Sequence, residues 1–190
     1  MIFSLGGVLV AVLLAAAGFT FKANADFAKN YVHDQLSAQK ITFTPAENLS
    51  DEEKKSDCLT EYAGTALDSG KKAECYANDY IALHVSNIGG GETYATMGAK
   101  QRQAQADLAA AQESKAANVA DLQANLDKIN GTRETLFKGE TLRGLLLTSY
   151  GFSIFGEKAS LAATLAFLGA LVMLLASLAG FAHAFGSKKE

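Results

Sequence analysis

The chain has 190 residues, 49% of them hydrophobic, with 17 basic and 20 acidic side chains and a net charge of −3. The basic residues are scattered and form no stripe, which excludes an electrostatic nucleic-acid surface. The charge is also absent from two stretches: Ile2 to Phe21 and Ala159 to Ser187 contain no Asp, Glu, Lys or Arg. A bilayer core of about 30 Å needs about 20 apolar helical residues, and both stretches meet that length.

The first stretch is read as a retained anchor, transmembrane helix 1 over residues 1–21. Ala23-Asn24-Ala25 resembles a small-x-small cleavage site, but Met1 to Phe3 carry no lysine or arginine, so the basic leader of a signal peptide is missing. Few helix breakers follow. Phe27, Tyr31 and Leu36 recur near helical spacing, which predicts one helix from Ile2 to about Gln39. The next apolar run, Ile41 to Pro45, alternates and ends in the chain's one proline, as an extended strap or a single strand does. Asn48 to Asp57 is polar, and Ser50 with Glu53 has the spacing of a capping box.

The stretch CYANDYIALHVSNIGGGETYA begins at Cys75. Ala73, Ala77, Tyr80, Ile81, His84, Val85 and Ile88 predict an amphipathic helix of about four turns. Asn87 and Gly89 to Gly91 end it, because glycine accepts the left-handed conformation past a helix C-terminus. The triple glycine therefore has a structural cause. It also lacks a following Lys-Ser/Thr pair, so it is not a phosphate loop.

Gln101 to Asn130 lacks glycine and proline. Leu108, Val119, Leu122, Leu126 and Ile129 fall near heptad spacing, interrupted at Gln112 and Lys115. This predicts one long helix or short coiled coil, stopped by Asn130-Gly131-Thr132. Its expected partner is the Lys22 to Gln39 helix or another protein. Residues 136–156 mix Leu142, Leu145, Leu146, Tyr150, Phe152 and Phe155 with Lys138, Glu140 and Arg143. That composition predicts an interfacial amphipathic segment. Transmembrane helix 2 follows over 158–186, with a four-residue cytoplasmic tail, 187–190. Ala162, Ala166, Gly169, Ala176 and Gly180 give it a small-residue face suited to packing against protein as well as lipid.

The fold class is thus mainly α, with two transmembrane helices flanking a helical domain over 22–157 that contains a long helical or coiled-coil segment. Sidedness rests on conflicting charges. Lys188 and Lys189 favour a cytoplasmic C-terminus, whereas Lys22, Lys29, Arg143 and Lys158 flank the spans on the other side. The cysteines decide it. Cys58 and Cys75 are the chain's two, and a pair outside the cytoplasm forms a disulfide, with two reduced buried thiols as the alternative. Closing that loop is worth about 3 kcal/mol in the chain-entropy account. The central domain is placed outside the cytoplasm, which makes the chain a multi-pass cell-membrane protein.

Chemistry has few footholds. His33, His84 and His183 offer no metal-ligand spacing among themselves, and no haem-attachment, zincin, nucleophile-elbow or phosphate-loop motif is present. His84 is read as a hydrogen-bonded packing residue, with ligand or proton carrier as the alternative. His183 lies in the last turn of the second span, within reach of the interface. No ionisable residue occupies the centre of either span, which argues against a pump acting alone. Tyr62, Tyr76, Tyr80 and Tyr94 cluster in sequence, as packed aromatics do. These observations assign no catalytic residue, metal or cofactor.

Three stretches, DQLSAQKITFTP from Asp34, YANDYIALHVSNIGGGETYA from Tyr76 and TLFKGETLRGLLLTSYGF from Thr135, resemble a group of actinobacterial two-span membrane proteins with an extracytoplasmic domain. The resemblance covers most of the chain beyond the first span. Some members carry the description ring-opening dioxygenase. Such enzymes need a set of iron ligands, and this sequence offers no such cluster. In size and topology the chain also looks like the small accessory subunits of the actinobacterial respiratory supercomplex, which joins a cytochrome bcc complex to an aa3-type oxidase. That likeness implies a non-catalytic subunit that braces larger membrane subunits and contacts lipid. The alternative expectation is an extracytoplasmic module that binds or senses an envelope ligand. Co-purification with haem proteins distinguishes the first, and a free homo-oligomer with a deep apolar pocket the second.

Overall fold

A computed structural model describes residues Ile2 to Gly186. The tail at 187–190, with Lys188 and Lys189, lies outside the described residues. Among the described residues six α-helices run α1 (Ile2–Ala38), α2 (Asp57–Glu61), α3 (Gly70–Cys75), α4 (Ala82–Gly89), α5 (Tyr94–Glu113) and α6 (Val119–Gly186). Short 3-10 turns occupy Ala46–Asn48 and Glu53–Lys55, and a π turn, Tyr76–Ile81, joins α3 to α4. Ile41 to Leu67 holds a single antiparallel bridge, Thr42 with Ala66, so the expected strap is extended but too short for a sheet. Helices α1 and α6 are each long and apolar enough to cross a membrane. The chain forms two units: residues 2–38 with 151–186, and Gln39–Tyr150.

In the first unit the two long helices pack antiparallel through a seam of small residues. On α1 the buried positions include Ser4, Ala11, Gly18, Ala25 and Val32, each seven residues from the next. On α6 they are Gly156, Ala163, Ala170 and Ser177, again at intervals of seven. A seven-residue repeat keeps one seam facing its partner, and small side chains let the backbones approach closely. A Cβ on Gly180 would strike Ser4, one on Gly7 would strike Ser177, and one on Gly18 would meet the Phe167 ring. Part of the small-residue face expected to meet protein as well as lipid is therefore used within the chain. Gly169 and Gly180 face α1, and Ala176 is exposed.

In the second unit, the expected single helix from Gln101 to Asn130 is instead a hairpin. Helix α5 ends at Glu113, Lys115 takes the left-handed conformation at φ 55°, and α6 starts at Val119. The turn falls where Gln112 and Lys115 interrupt the heptad pattern. Ala104 and Leu108 on α5 close against Leu126 on α6, flanked by Val119, Leu122 and Ile129. The seam expected to pair with the Lys22 to Gln39 segment or another protein is thus filled by the other arm of the same hairpin.

The expected stop at Asn130-Gly131-Thr132 is likewise absent, and α6 runs through it. Asn130 is held across the hairpin, its Oδ1 accepting from Gln101 Nε2 at 2.7 Å. Gln101 Oε1 accepts from Arg133 Nη1 at 2.6 Å, and the Arg133 guanidinium lies 4.2 Å above the Tyr94 ring. Thr93 and Thr96 cap the start of α5 reciprocally.

Helix α4 docks on α6. Leu136 is fully buried and packs with Val85 and Met97. A Cβ on Gly139 would strike Val85, and one on Gly89 would meet Leu136. Two glycines thus set the approach of α4 to α6, and segment 136–156 is unbroken helix. Gly90, in the left-handed region at φ 59°, ends α4 as expected.

Candidate functional site

The chemistry-bearing side chains gather between the Glu53–Lys55 turn and the α3–π–α4 helix. Ser50 and Glu53 form a true capping box. The Ser50 backbone N–H donates to Glu53 Oε2 at 2.7 Å, and the Glu53 N–H donates to Ser50 Oγ at 3.2 Å. This local bond network fixes a carboxylate that is only 5% exposed. Its other oxygen, Oε1, lies 3.1 Å from His84 Nε2 on α4. Asn87, one turn later, donates from Nδ2 to Glu52 Oε2 at 3.1 Å. Adjacent acidic residues on the turn therefore pin successive positions of α4.

The histidine ends an aromatic column. Phe43, fully buried in the extended strap, meets Tyr76 edge to face at 5.2 Å and Tyr62 at 5.7 Å. Tyr76 stacks on Tyr80 at 4.6 Å, and Tyr80 meets the His84 ring at 4.4 Å. The π turn explains the alignment. Four residues overshoot one turn of an α-helix but undershoot one wider π turn, so the drift from Tyr76 to Tyr80 opposes that from Tyr80 to His84. The three rings stay in one column. Tyr94 belongs elsewhere, against Phe137 and Arg133.

Charge states follow from this packing. The Ser50 backbone N–H bond holds the Glu53 carboxyl below its ordinary 4.5, against the opposing effect of burial, with help from the Ser50 side chain and His84. Burial, then the neighbouring Tyr80, pushes the Tyr76 hydroxyl up to about 12. Near neutral pH Glu53 is therefore a carboxylate and Tyr76 a neutral phenol. A buried carboxylate against a histidine is the orienting half of a catalytic triad. Here Ser50 Oγ is spent on the cap, and both cysteines are bonded to each other. The pair's evident work is to hold α4 in place.

Cys58 on α2 and Cys75 at the end of α3 form a disulfide, with Cα atoms 6.0 Å apart. It joins the capped turn to the aromatic column. Asp79 Oδ2 lies 3.1 Å from Cys58 Sγ, and Cys75 is buried. The two sulfurs and the Asp79 carboxylate lie within 4.8 Å of one another, close enough to share a metal ion. Bonded sulfurs have no thiolate to offer one. Among the other histidines, His33 lies on α1 and His183 is exposed near the end of α6.

In the second unit Phe137 is 54% and Leu145 62% exposed, with Leu142 also exposed beside them. Phe137, Thr141 and Leu145 recur every four residues and so share one side of α6. They lie among Glu134, Lys138, Glu140 and Arg143. No protein-family model, curated protein or solved structure matches the chain.

Proposed function

We propose that the chain is a non-catalytic accessory subunit of a larger membrane assembly. The observation that carries this reading is the apolar face of α6 at Phe137, Leu142 and Leu145. Phe137 and Leu145 share one side of α6, Leu142 is exposed on the adjoining flank, and charged side chains are interleaved with them; large exposed apolar residues in such a polar setting mark a protein contact. The charges at Glu134, Lys138, Glu140 and Arg143 keep that segment out of hydrocarbon, so lipid tails are not its cover. Helices α1 and α6 cross the bilayer as a pair, and the disulfide supports placing Gln39–Tyr150 outside the cytoplasm. The partners are the large subunits of a cytochrome bcc–aa3 supercomplex, in keeping with the family likeness of the Asp34, Tyr76 and Thr135 stretches. The subunit carries no cofactor of its own and acts by bracing its neighbours. Deleting the chain tests this on a native gel. The supercomplex band is expected to fall apart into bcc and oxidase bands that each keep their redox activity. An unchanged band removes the bracing role.

A further inference from the structure

In the first unit four aromatic side chains stand exposed immediately beyond the apolar runs. Phe27 stacks on Tyr31 at 5.6 Å, and both meet Phe152 edge to face at 6.3 and 5.9 Å. Phe155 is 75% exposed. The antiparallel seam gives these residues a common level. Gly156 sits against Ala25, Ala28 and the Lys29 backbone, so Phe155 and Phe152 on α6 flank the turn of α1 that carries Phe27 and Tyr31.

The same level carries cations. Lys22 is paired with Asp26. Lys29 and Lys158 have no ion-pair partner among the described residues, against the unpaired carboxylates of Glu157 and, one turn beyond Tyr31, Asp34. The charge-free run on α6 from Ala159 to Phe185 is longer than a 30 Å core requires, and a boundary at Lys158 is level with Asp26, to which the Lys22 ammonium reaches up from below. At about 1.5 Å per residue, Phe155 then stands ~5 Å beyond that boundary, within the headgroup layer.

We propose that Phe27, Tyr31, Phe152 and Phe155 form an aromatic collar seated in the phospholipid headgroups, with Lys29 and Lys158 directed at lipid phosphates. The collar continues the lipid-facing surface of the same two helices. Aromatic rings concentrate at this depth, where one edge is apolar and the surroundings are wet. A lysine stem lies along the apolar layer while its ammonium reaches phosphate. The collar fixes the depth of the pair and leaves the face at Phe137 and Leu145 for protein. The proposal rests on α1 and α6 crossing the membrane, and the experiment separates the two claims.

The chain has no tryptophan, so a single introduced indole is a clean reporter. Three full-chain variants are reconstituted in phosphatidylcholine–phosphatidylglycerol vesicles with nitroxide-labelled lipids: Leu168→Trp as the core reporter, Phe155→Trp as the collar reporter and Phe137→Trp as the face reporter. The core reporter is expected to be quenched by deep acyl-chain labels. The collar reporter is expected to be quenched at least twofold by headgroup labels and little by deep ones. The face reporter is expected to respond to neither and to remain open to iodide. Lys29→Gln with Lys158→Gln is expected to weaken headgroup quenching of the collar reporter. If the core reporter is quenched but the collar reporter is untouched by lipid labels and open to iodide, the collar is wrong while the membrane placement stands. A collar reporter closed to both lipid labels and iodide means a protein covers it, which also overturns the collar. If the core reporter is not quenched, the membrane placement itself fails.

Discussion

His84 Nε2 lies 3.1 Å from Oε1 of Glu53, a buried carboxylate whose other oxygen is already held by the Ser50 N–H. The pair links segments 31 residues apart. Because the folded state holds the Glu53 pKa below 4.5, the carboxylate contributes stability above that pH and loses it as pH falls through the lower folded value. Thermal melts are expected to show an acid limb beginning near pH 4.5 that flattens in Glu53→Gln. Glu53→Ala should cost about 2 kcal/mol, since it removes the cap and strands a polar partner. His84→Gln can still donate to the carboxylate and should cost less than about 1 kcal/mol, with assembled turnover unchanged. Collapse of turnover in an intact complex carrying His84→Gln would return this histidine to a catalytic role.

The Cys58–Cys75 bond should leave no alkylatable thiol in the non-reduced protein, and its loss should cost about 3 kcal/mol. Asp79 bears on its chemistry. Reduction proceeds by attack of a thiolate anion, and a carboxylate 3.1 Å from Cys58 Sγ repels that anion. Asp79→Asn is expected to speed reduction about fivefold, the effect of roughly 1 kcal/mol for charges about 4 Å apart in water. An unchanged rate of dithiothreitol reduction would show that Asp79 does not shield the bond.

Close approach of the two long helices predicts a sharp contrast among glycines. Gly18→Leu drives a side chain into the Phe167 ring, whereas Gly6 has open space around it. Overpacking of this kind costs about 1–3 kcal/mol. Cysteines placed at Ser4 and Gly180 should crosslink in an otherwise unaltered chain. The crosslink should fail once Gly18→Leu is added and persist with Gly6→Leu. Equal crosslinking in both would mean that the seam is not close-packed.

The hairpin makes its own prediction. Leu126 is buried against Ala104 and Leu108, so Leu126→Ala should destabilise the second unit by about 2–4 kcal/mol. Hydrogen exchange should quicken in α5 more than in α1. Uniform exchange across both would place the seam's partner outside the hairpin.

What the sequence revealed depended on how loudly each residue type signals. The charge-free runs, the triple-glycine stop and the Ser50–Glu53 box are local signals, and each corresponds to a local feature of the fold. The α5–α6 turn was hidden because Lys115 adopts a left-handed conformation without the glycine that advertises one. Asn130-Gly131 misled in the other direction, because the Gln101 and Arg133 side chains hold a helix through a sequence that would end an isolated one.

The helix-pair seam was read only in part. Of the small face Ala162, Ala166, Gly169, Ala176 and Gly180, Gly169 and Gly180 meet α1, yet the buried set is Gly156, Ala163, Ala170 and Ser177. Small residues crowd α6 so densely that composition alone does not pick the register, and only the partner helix does. The Glu53–His84 pair was similarly out of reach, since nothing local to either residue points to the other.

As proposed, this chain is a bracing subunit docked through the α6 face at Phe137, Leu142 and Leu145. That docking is tested most directly by purifying the tagged chain in mild detergent and recording the absorption spectrum of what comes with it. The bands of haems a, b and c are expected with the wild-type chain, and their loss in Leu145→Asp while the variant stays folded and membrane-bound. A wild-type chain drawn from its native membranes with no haem absorption contradicts it.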